Sequence, residues 1–551
     1  MPDGLAQARL GHGRVVFLQA DEDEELPWSE FFVEAEQCAA WLRHSRGIGP
    51  GSRVVILASR PREMVTAIAA IWMTGAALTC APTPARGVDL VSYSQQTARR
   101  LETLGASLAL VGEPYAALAA ELRRVTRVDR LEEVLAAEPS GVWKAPDLVA
   151  DDPAIYQFTS GTIARPKVVR ISHGHLMANI TAIRTRVPHD DRHGRMLSWL
   201  PMSHDMGLIG AVATYLVCGE CDLIIGSTAD YLTDPSGWMR NAARHRATAL
   251  VAPASAYALA GRLLTTGPRL DLSSVRSAVC GGEPIDPTAI EAFLAAAAGH
   301  GFRKEAFLPA YGLAEATLIV ASRRPGEGLA ADEIDLAALA SRHLALPAIS
   351  GRASRRLARL GPAVPGTELR IVDPHSVDPR PPRAVGEIQV RGPSVASYLG
   401  TAAPAAVEKG EDDGMRTADG WLSTGDLGYL ADDELVVCGR AKDLIIVGGR
   451  NVYPEEIEQA VERVAGIRAG NVVAFAARRA GGVTDGVAIA AEVRPGHDEA
   501  TIRERVTAAI RAAVGLRPMD IHLLPPGSVP KTPSGKLRRS QAALLLGGEA
   551  P

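Results

Sequence analysis

The sequence predicts an α/β protein with a large N-terminal domain of several subdomains, mostly parallel sheets plus a β-rich part, and a small α+β domain at the C-terminus. Three observations carry this. Short apolar strands alternate with helix-like stretches from residue 28 to about residue 280, the rhythm of parallel sheets covered by helices. The texture changes over residues 323–383, which are rich in Ala, Arg, Gly and Pro. After residue 449 the chain reads as a compact α+β unit. With 551 residues the chain is also too long for a single core.

Taken in order, Trp28-Ser29 precedes an amphipathic helix with Phe31, Ala35, Cys38 and Leu42 at helical spacing, and Ser29 is the expected N-cap. Residues 53–58, RVVILA, form a short apolar strand; Pro61 opens a helix reaching Thr74, and 76–80 is the next strand. The rhythm continues with strands at 108–111, 222–225, 249–252 and 278–280. In the 323–383 stretch the strand candidates are 368–372 and, just beyond it, 386–390, with turns at Asp373-Pro374 and Pro381-Pro382 and an inserted segment at about 339–360. Residues 439–449, GRAKDLIIVGG, read as a turn, an apolar run and a glycine pair. The boundary is placed there, giving domains 1–440 and 441–551. The second comprises a helix at 455–464, strands at 472–476 and 487–493, and a helix carrying Ile502, Val506, Ile510 and Ala513 on one face, ended by Gly515.

Composition excludes several classes. Hydrophobic residues make up 47% and charged residues 22%, ordinary for a globular protein, and the net charge of −4 gives no electrostatic case for nucleic acid. The basic run Arg352, Arg355, Arg356, Arg359 reads as a solvated helix face, and the acidic run at 21–25 as an exposed turn. Of six cysteines only Cys218 and Cys221 are close in sequence. A zinc site needs a second ligand pair, and none is visible, so these thiols read as small hydrophobes. No secretory segment is visible at the start, and the most apolar region, 65–81, reads as a buried helix running into a strand and not as a membrane span. A reducing cytoplasm is the expected location.

The chemistry centres on residues 156–175, YQFTSGTIARPKVVRISHGH. Hydroxyls, free backbone N–H groups and one lysine, in a loop between two strands, suit the oxygens of a polyphosphate. Neither G-x-x-x-x-G-K-[ST] nor G-x-G-x-x-G is present, and a plain Ser/Thr-rich turn is the competing reading of this stretch alone. Further stretches accompany it: WLPMSHDMG at 199–207, YGLAEAT at 311–317, STGDLG at 423–428, GRAKD at 439–443 and PKTPSGK at 530–536. Over nearly the whole chain, their order and spacing resemble the adenylate-forming superfamily of acyl-CoA ligases, fatty acyl-AMP ligases and nonribosomal adenylation domains. SWLPMSHDMGLIG, PAYGLAEATLIVA, GRAKDLIIVGGRNVYPEEIE and the inserted segment look most like the fatty acyl-AMP ligase branch.

The resemblance implies a function and a set of roles. An apolar carboxylic acid would attack the α-phosphorus of ATP, forming an acyl-adenylate and releasing pyrophosphate. The acyl group would then pass to a thiol, the phosphopantetheine of an acyl carrier protein or, alternatively, CoA; an enzyme that stops at the adenylate and feeds a partner is a further variant. Thr159, Ser160, Gly161, Thr162 and Lys167 would wrap the phosphates, and Glu315 would hold Mg2+. Gly281, Gly282, Glu283, Ala310, Tyr311 and Gly312 would form the adenine site. Asp426 would hold the ribose hydroxyls with Arg440 nearby. His204 would border the acid's carboxylate, and Met202, Leu208, Ile209 and Ala254 are pocket candidates. Lys536 would act as a point charge between carboxylate and α-phosphate, and Lys442 would be the hinge of a mobile C-terminal domain. Singly, Tyr311 could be a core aromatic, His204 a satisfied core histidine and Asp426 a turn former. The phosphate loop departs from the superfamily's T-S-G-T-T-G-x-P-K-G: Ile163-Ala164 replace Thr-Gly and Val168 replaces the last glycine. That departure is the one feature favouring a different class, a non-catalytic nucleotide-binding scaffold.

Overall fold

The structure is a computed structural model, and it describes all residues except 85–89, 139–140, 160–166, 188–193, 400–415, 418, 448–449, 478–485, 532–536 and 547–551. Two large sheets dominate. In the seven-stranded one, Pro153–Phe158, Ala77–Cys80, Arg53–Leu57, Leu108–Val111 and Val128–Arg130 run parallel. Val168–Ser172 and Ser397–Tyr398 complete it in antiparallel pairing. The eight-stranded sheet has a parallel centre, with antiparallel edges where Glu24–Pro27 pairs Arg14–Phe17 and Ile319–Ser322 pairs Phe307–Gly312. Its central strands are almost wholly buried, which is why they read as unbroken apolar runs and not as alternating ones.

Helix Pro61–Thr74 is buried all round from Met64 to Thr74 and packs in one core with residues from both sheets and from helix Trp28–Arg46. It ends at Gly75, φ +83°, where the chain turns into Ala77–Cys80. Helix Trp28–Arg46 begins with Pro27 as its N-cap and without a side-chain cap, so Ser29 sits inside the first turn.

The β-rich part is a four-stranded antiparallel sheet of Glu368–Val372, Gly386–Arg391, Leu422–Ala431 and Glu434–Arg440. Beside it Ala331–Asp335 pairs Ser354–Ala358, with helix Leu336–Arg342 between them, so the unit spanning 339–360 begins a few residues earlier than its sequence texture suggests. The run Arg352–Arg359 is therefore not a helix face. Strand alternation turns Arg355 inward, where Nη1 lies 2.8 Å from Glu456 Oε1 and Nη2 donates to the Cys438 carbonyl, and turns Arg356 outward to Glu291. The 21–25 run departs too: Glu24 and Glu25 lie in an edge strand, and the nearly buried Asp23 carboxylate contacts Arg244 and His245.

Arg359 joins a second buried cluster. Arg323 Nη1 donates to both oxygens of Glu434, at 2.7 and 3.0 Å, and Arg359 Nη1 to Oε2 at 3.2 Å. Glu434→Ala removes the carboxylate the two guanidiniums share, while Arg359 keeps Asp432 and Asp332 and Arg323 keeps Glu327. The expected cost is about 1–3 kcal/mol, read as a lower denaturant midpoint of the β-rich part; an unchanged midpoint rejects it.

The C-terminal unit packs helices Pro454–Glu462 and Glu499–Val514 on a sheet of Ile467–Ala477, Gly486–Val493 and Asp520–Leu524, around Ile457, Val461, Ile489, Val506 and Ile510. The helix ends at Gly515, φ +71°. Among the described residues no helix is long and apolar enough to cross a membrane.

Candidate active site

Thr159, His204 and Gly281-Gly282 follow the carboxyl ends of parallel strands, where loops leave an α/β sheet, while Asp426 and Arg440 lie in the four-stranded antiparallel sheet. Strand Pro153–Phe158 leads into the phosphate loop and Val168–Ser172 leads out. The loop is closed at its base by Thr159, whose N–H and hydroxyl both donate to the Lys167 carbonyl, at 3.1 and 3.3 Å. Ser160, Gly161 and Thr162, with the Ile163-Ala164 departure, lie outside the described residues.

Lys167 and Glu315 meet at Tyr398. The tyrosine hydroxyl donates to Glu315 Oε1 at 2.6 Å, and the Lys167 ammonium sits 4.8 Å from the ring centroid. Tyr398 reaches this place because Ser397–Tyr398 adds to the edge of Val168–Ser172. The Ala396 N–H also donates to the Glu315 carbonyl. Among the described residues no group of three or more His, Cys, Asp and Glu could hold a metal ion. Glu315 fits Mg2+ in the way that ion is held beside phosphates, by one carboxylate with phosphate oxygens and water completing the shell.

A second cluster surrounds Asp426, which the sheet register places opposite Arg440. Arg440 Nε lies 3.1 Å from Asp426 Oδ1, and the Tyr311 hydroxyl donates to Oδ2 at 2.6 Å. The Asp426 charge, with further help from Asp443 and Glu315, raises the Arg440 guanidinium above its ordinary value, while burial and Asp426 push the Tyr311 phenol well up. Tyr311 therefore stays neutral and donates. Each Asp426 oxygen keeps a lone pair for a further donor, which suits a diol.

The glycine pair is shaped for close approach. A Cβ on Gly281 would lie 2.9 Å from the Ala310 carbonyl oxygen; Gly282 has φ +81° and faces Met206, whose Cε would be 3.6 Å from a Cβ there. Gly312 is tighter still, since a Cβ would fall 1.9 Å from the Leu318 oxygen. Glu283 accepts from the Ser255 N–H at 2.5 Å, one residue after Ala254.

The WLPMSHDMG stretch follows strand Arg195–Ser198 and is tied to the phosphate-loop strand by Gln157 Nε2, which donates to the Ser203 carbonyl at 2.8 Å. His204 Nδ1 lies 2.6 Å from Asp205 Oδ1, and the Met206 N–H donates to both atoms, at 3.3 and 2.7 Å, which fixes the ring against the start of the next helix. Residues Met206–Ala213 form a π-helix, an element concentrated at functional sites. Gly207 permits it, because a Cβ there would lie 2.4 Å from the Pro201 oxygen. Met202 and the fully buried Leu208 and Ile209 share one core with this helix, whereas Ala254 belongs to the neighbouring core.

Lys442 is exposed in the short 3-10 turn Ala441–Asp443 that joins strand Glu434–Arg440 to the C-terminal unit. Lys536 lies outside the described residues, but the ends of its loop do not. Lys531 pairs Leu537 in an antiparallel bridge, and the Arg538 N–H donates to the Pro530 carbonyl at 3.0 Å. Arg539 then contacts Asp443, Glu455 and Glu458 at 2.7–3.0 Å. Burial lowers the Lys531 ammonium, opposed by the charges of Glu492, Glu283 and Glu462.

Sequence reasoning missed Tyr398, Gln157, Met206 and Arg539. Gln157 and Met206 stood inside quoted stretches; Arg539 follows PKTPSGK by three residues, which is the signal that could have found it.

Comparison with known proteins decides the family. Residues 5–399 match the AMP-binding enzyme family and residues 449–541 the AMP-binding enzyme C-terminal domain. The chain belongs to the AMP-binding enzymes of the adenylate-forming superfamily. It is 36% identical over 527 residues to the putative ligase Rv1013 of Mycobacterium tuberculosis, covering 94% of each chain. It is 30% identical to the medium-chain-fatty-acid–[acyl-carrier-protein] ligase JamA of Moorena producens, over 95% of this chain and 90% of that one. Among solved structures it resembles a fatty acyl-adenylate ligase from work on the E. coli and L. pneumophila enzymes, at TM-score 0.87 and 29% identity, covering 99% and 96%. It also resembles the L. pneumophila fatty acyl-adenylate ligase solved with acyl adenylate and pyrophosphate, at TM-score 0.72 and 28% identity, covering 99% and 95%. Both sequence texture and relatives put this AMP-binding enzyme with the ligases that form acyl-adenylates.

Proposed function

We propose that this enzyme activates an apolar carboxylic acid, a fatty acid or a bulky polycyclic one, as its adenylate and passes the acyl group to the phosphopantetheine thiol of a carrier protein. The observation that carries the reading is two clusters joined by the 311–315 stretch: Lys167–Tyr398–Glu315 for phosphates and Tyr311–Asp426–Arg440 for the nucleoside. Attack of a carboxylate on a phosphate brings anion against anion, so catalysis here is charge neutralisation and alignment. Lys167 and the loop N–H groups neutralise the outer phosphates, and Tyr398 fixes Glu315 in orientation. Mg2+ at Glu315 would supply further charge neutralisation for departing pyrophosphate. Asp426 accepts from the ribose hydroxyls, held in place by Arg440 and Tyr311. The glycine pair lets the adenine approach the backbone beside Tyr311. His204, oriented by Asp205, borders the acid's carboxylate. Lys536 contributes its charge to the same carboxylate and the α-phosphate, and the two domains, 1–440 and 441–551, turn about Lys442 between the half-reactions.

The inserted unit around 339–360 and the similarity to JamA, named as an acyl-carrier-protein ligase, support the carrier protein as acceptor, and relatives named as an acyl-CoA synthetase and a fatty-acid–CoA ligase support CoA as the alternative. ATP–pyrophosphate exchange across fatty, aromatic and polycyclic acids tests the first half-reaction, and no exchange with any acid sinks the reading in favour of a non-catalytic scaffold. Thioester formation with CoA alone, against a phosphopantetheinylated carrier, tests the acceptor. Asp426→Ala adds a sharper check: ATP KM rises by about 10–100-fold, the worth of one or two charge-assisted hydrogen bonds, while acid KM stays within a few-fold. An unchanged ATP KM removes Asp426 from the nucleoside site.

A further inference from the structure

Helix Thr214–Cys218 continues the π-helix and ends at Gly219, φ +67°; Cys221 follows just before strand Asp222–Ile225. The two sulfurs lie 3.5 Å apart and share a hydrogen bond. The turn between them is held from two directions. A Cβ on Gly219 would lie 2.5 Å from the Ala8 backbone, and the Cys221 carbonyl accepts from Trp28 Nε1 at 3.0 Å. The other four cysteines, Cys38, Cys80, Cys280 and Cys438, are buried free thiols. Nothing in the adenylation chemistry uses the pair.

We propose that Cys218 and Cys221 form a redox-modification site, a dithiol that a hydroperoxide converts into an intramolecular disulfide. Cys218 is the attacking sulfur, since it keeps 9% of its surface in solvent while Cys221 keeps none. Its surroundings favour thiolate: the hydrogen bond shared with the Cys221 sulfur first, then the N–H groups of Glu220 and Cys221 and the charge of Arg184, hold it down to about 6 against the cost of burial. Tyr215, the phenol beside both sulfurs, is pushed well up by burial and stays neutral. Burial drives the other thiols the opposite way: alone at Cys80, up to about 12, with the Glu283 charge at Cys280, well above its ordinary value, and as the largest cause at Cys38, pushed to about 11, and at Cys438, to about 12.

The steps balance. The Cys218 thiolate attacks one peroxide oxygen, the O–O bond breaks, and sulfenic acid forms as hydroxide or alkoxide leaves and takes up a proton. The Cys221 sulfur then displaces the sulfenic hydroxyl, which departs with the Cys221 proton as water. Two thiols and one hydroperoxide yield one disulfide, one water and one alcohol or second water; the thiols supply the two electrons that reduce the O–O bond. The sulfurs must close from 3.5 Å to about 2.05 Å. In a reducing compartment such a bond is transient and reversible.

The test treats the full chain with hydrogen peroxide, traps sulfenic acid with dimedone and reads each cysteine by peptide mass spectrometry. In wild type, thiols 218 and 221 disappear together as a disulfide that dithiothreitol reverses, while the other four survive the same dose. Cys221→Ser accumulates the dimedone adduct at Cys218 at least ten-fold above any other cysteine, and Cys218→Ser gives neither product. If Cys218 is labelled no faster than Cys38 or Cys80, or if wild type and Cys221→Ser give the same adduct yield, the assignment fails. Should a serine variant not fold, alkylation of wild type by iodoacetamide decides: Cys218 must react first, and any other order overturns the proposal.

Discussion

Lys536→Ala slows adenylate formation by about 10²–10³-fold, the scale seen when one preorganised charge-stabilising group is removed. Thiol transfer from preformed acyl-adenylate falls much less. The asymmetry follows from chemistry: in the first half-reaction a carboxylate and a phosphate must approach, and a lysine between them lowers the barrier as a point charge. In the second, a neutral or anionic thiol attacks an acyl carbon already activated. The structure makes the variant a clean test, because the loop is clamped without its lysine. The Lys531–Leu537 bridge and the Arg538–Pro530 hydrogen bond close its base, and Arg539 ties the following helix to three carboxylates. Removing one side chain beyond that clamp deletes a charge and leaves the frame. The measurement is pyrophosphate release and thioester formation timed separately. Equal losses in the two would reject this role for Lys536.

That clamp also shows where sequence reading ends. Buried parallel strands are legible because both faces demand apolar residues, so RVVIL and ALVA announce themselves, and glycine stops such as Gly75 and Gly515 mark helix ends. Asp426 and Arg440 were legible as motif members, and the hairpin register then places them opposite each other. Contacts between distant segments carry no local signature. Tyr398 reaches Glu315 across 83 residues of chain, and Arg539 reaches Asp443 across 96. The π-helix is hidden for another reason: MGLIGAVA is apolar at nearly every position, so no periodicity separates one helical pitch from another. The basic run misleads because Arg352, Arg355, Arg356 and Arg359 fall at helical spacing, while the strand pairing with Ala331–Asp335 imposes a period of two.

Lys442→Pro separates the half-reactions at the junction. On the proposed mechanism the C-terminal unit takes two placements, because Lys536 must leave before a pantetheine thiol can enter. The backbone change has to be absorbed by a few residues. The candidates are Ala441–Asp443, an exposed 3-10 turn directly after Arg440, whose side chain is held by Asp426 on the large unit, while Asp443 is held by Arg539 on the small one. The pivot is thus bracketed by an ion pair on either side, leaving Lys442 between two anchored neighbours. Proline there fixes φ near −65°, a value the 3-10 turn already uses. It also pushes Ala441 away from helical backbone, a modest cost borne in the placement observed, where Arg463 of the small unit lies 3.2 Å from Asp286. A placement that needs a different φ at 442 is penalised by about 3 kcal/mol, or about 10²-fold in rate. Adenylation should therefore stay within about ten-fold of wild type while thioester formation falls by about 10²-fold or more, with either CoA or carrier protein as acceptor. Single-turnover assays of pyrophosphate release and of acyl transfer read the two rates independently. If transfer keeps pace with adenylation in the variant, the pivot is not at Lys442; a fall in adenylation as large as that in transfer would mean that the observed placement, too, depends on free rotation at this residue.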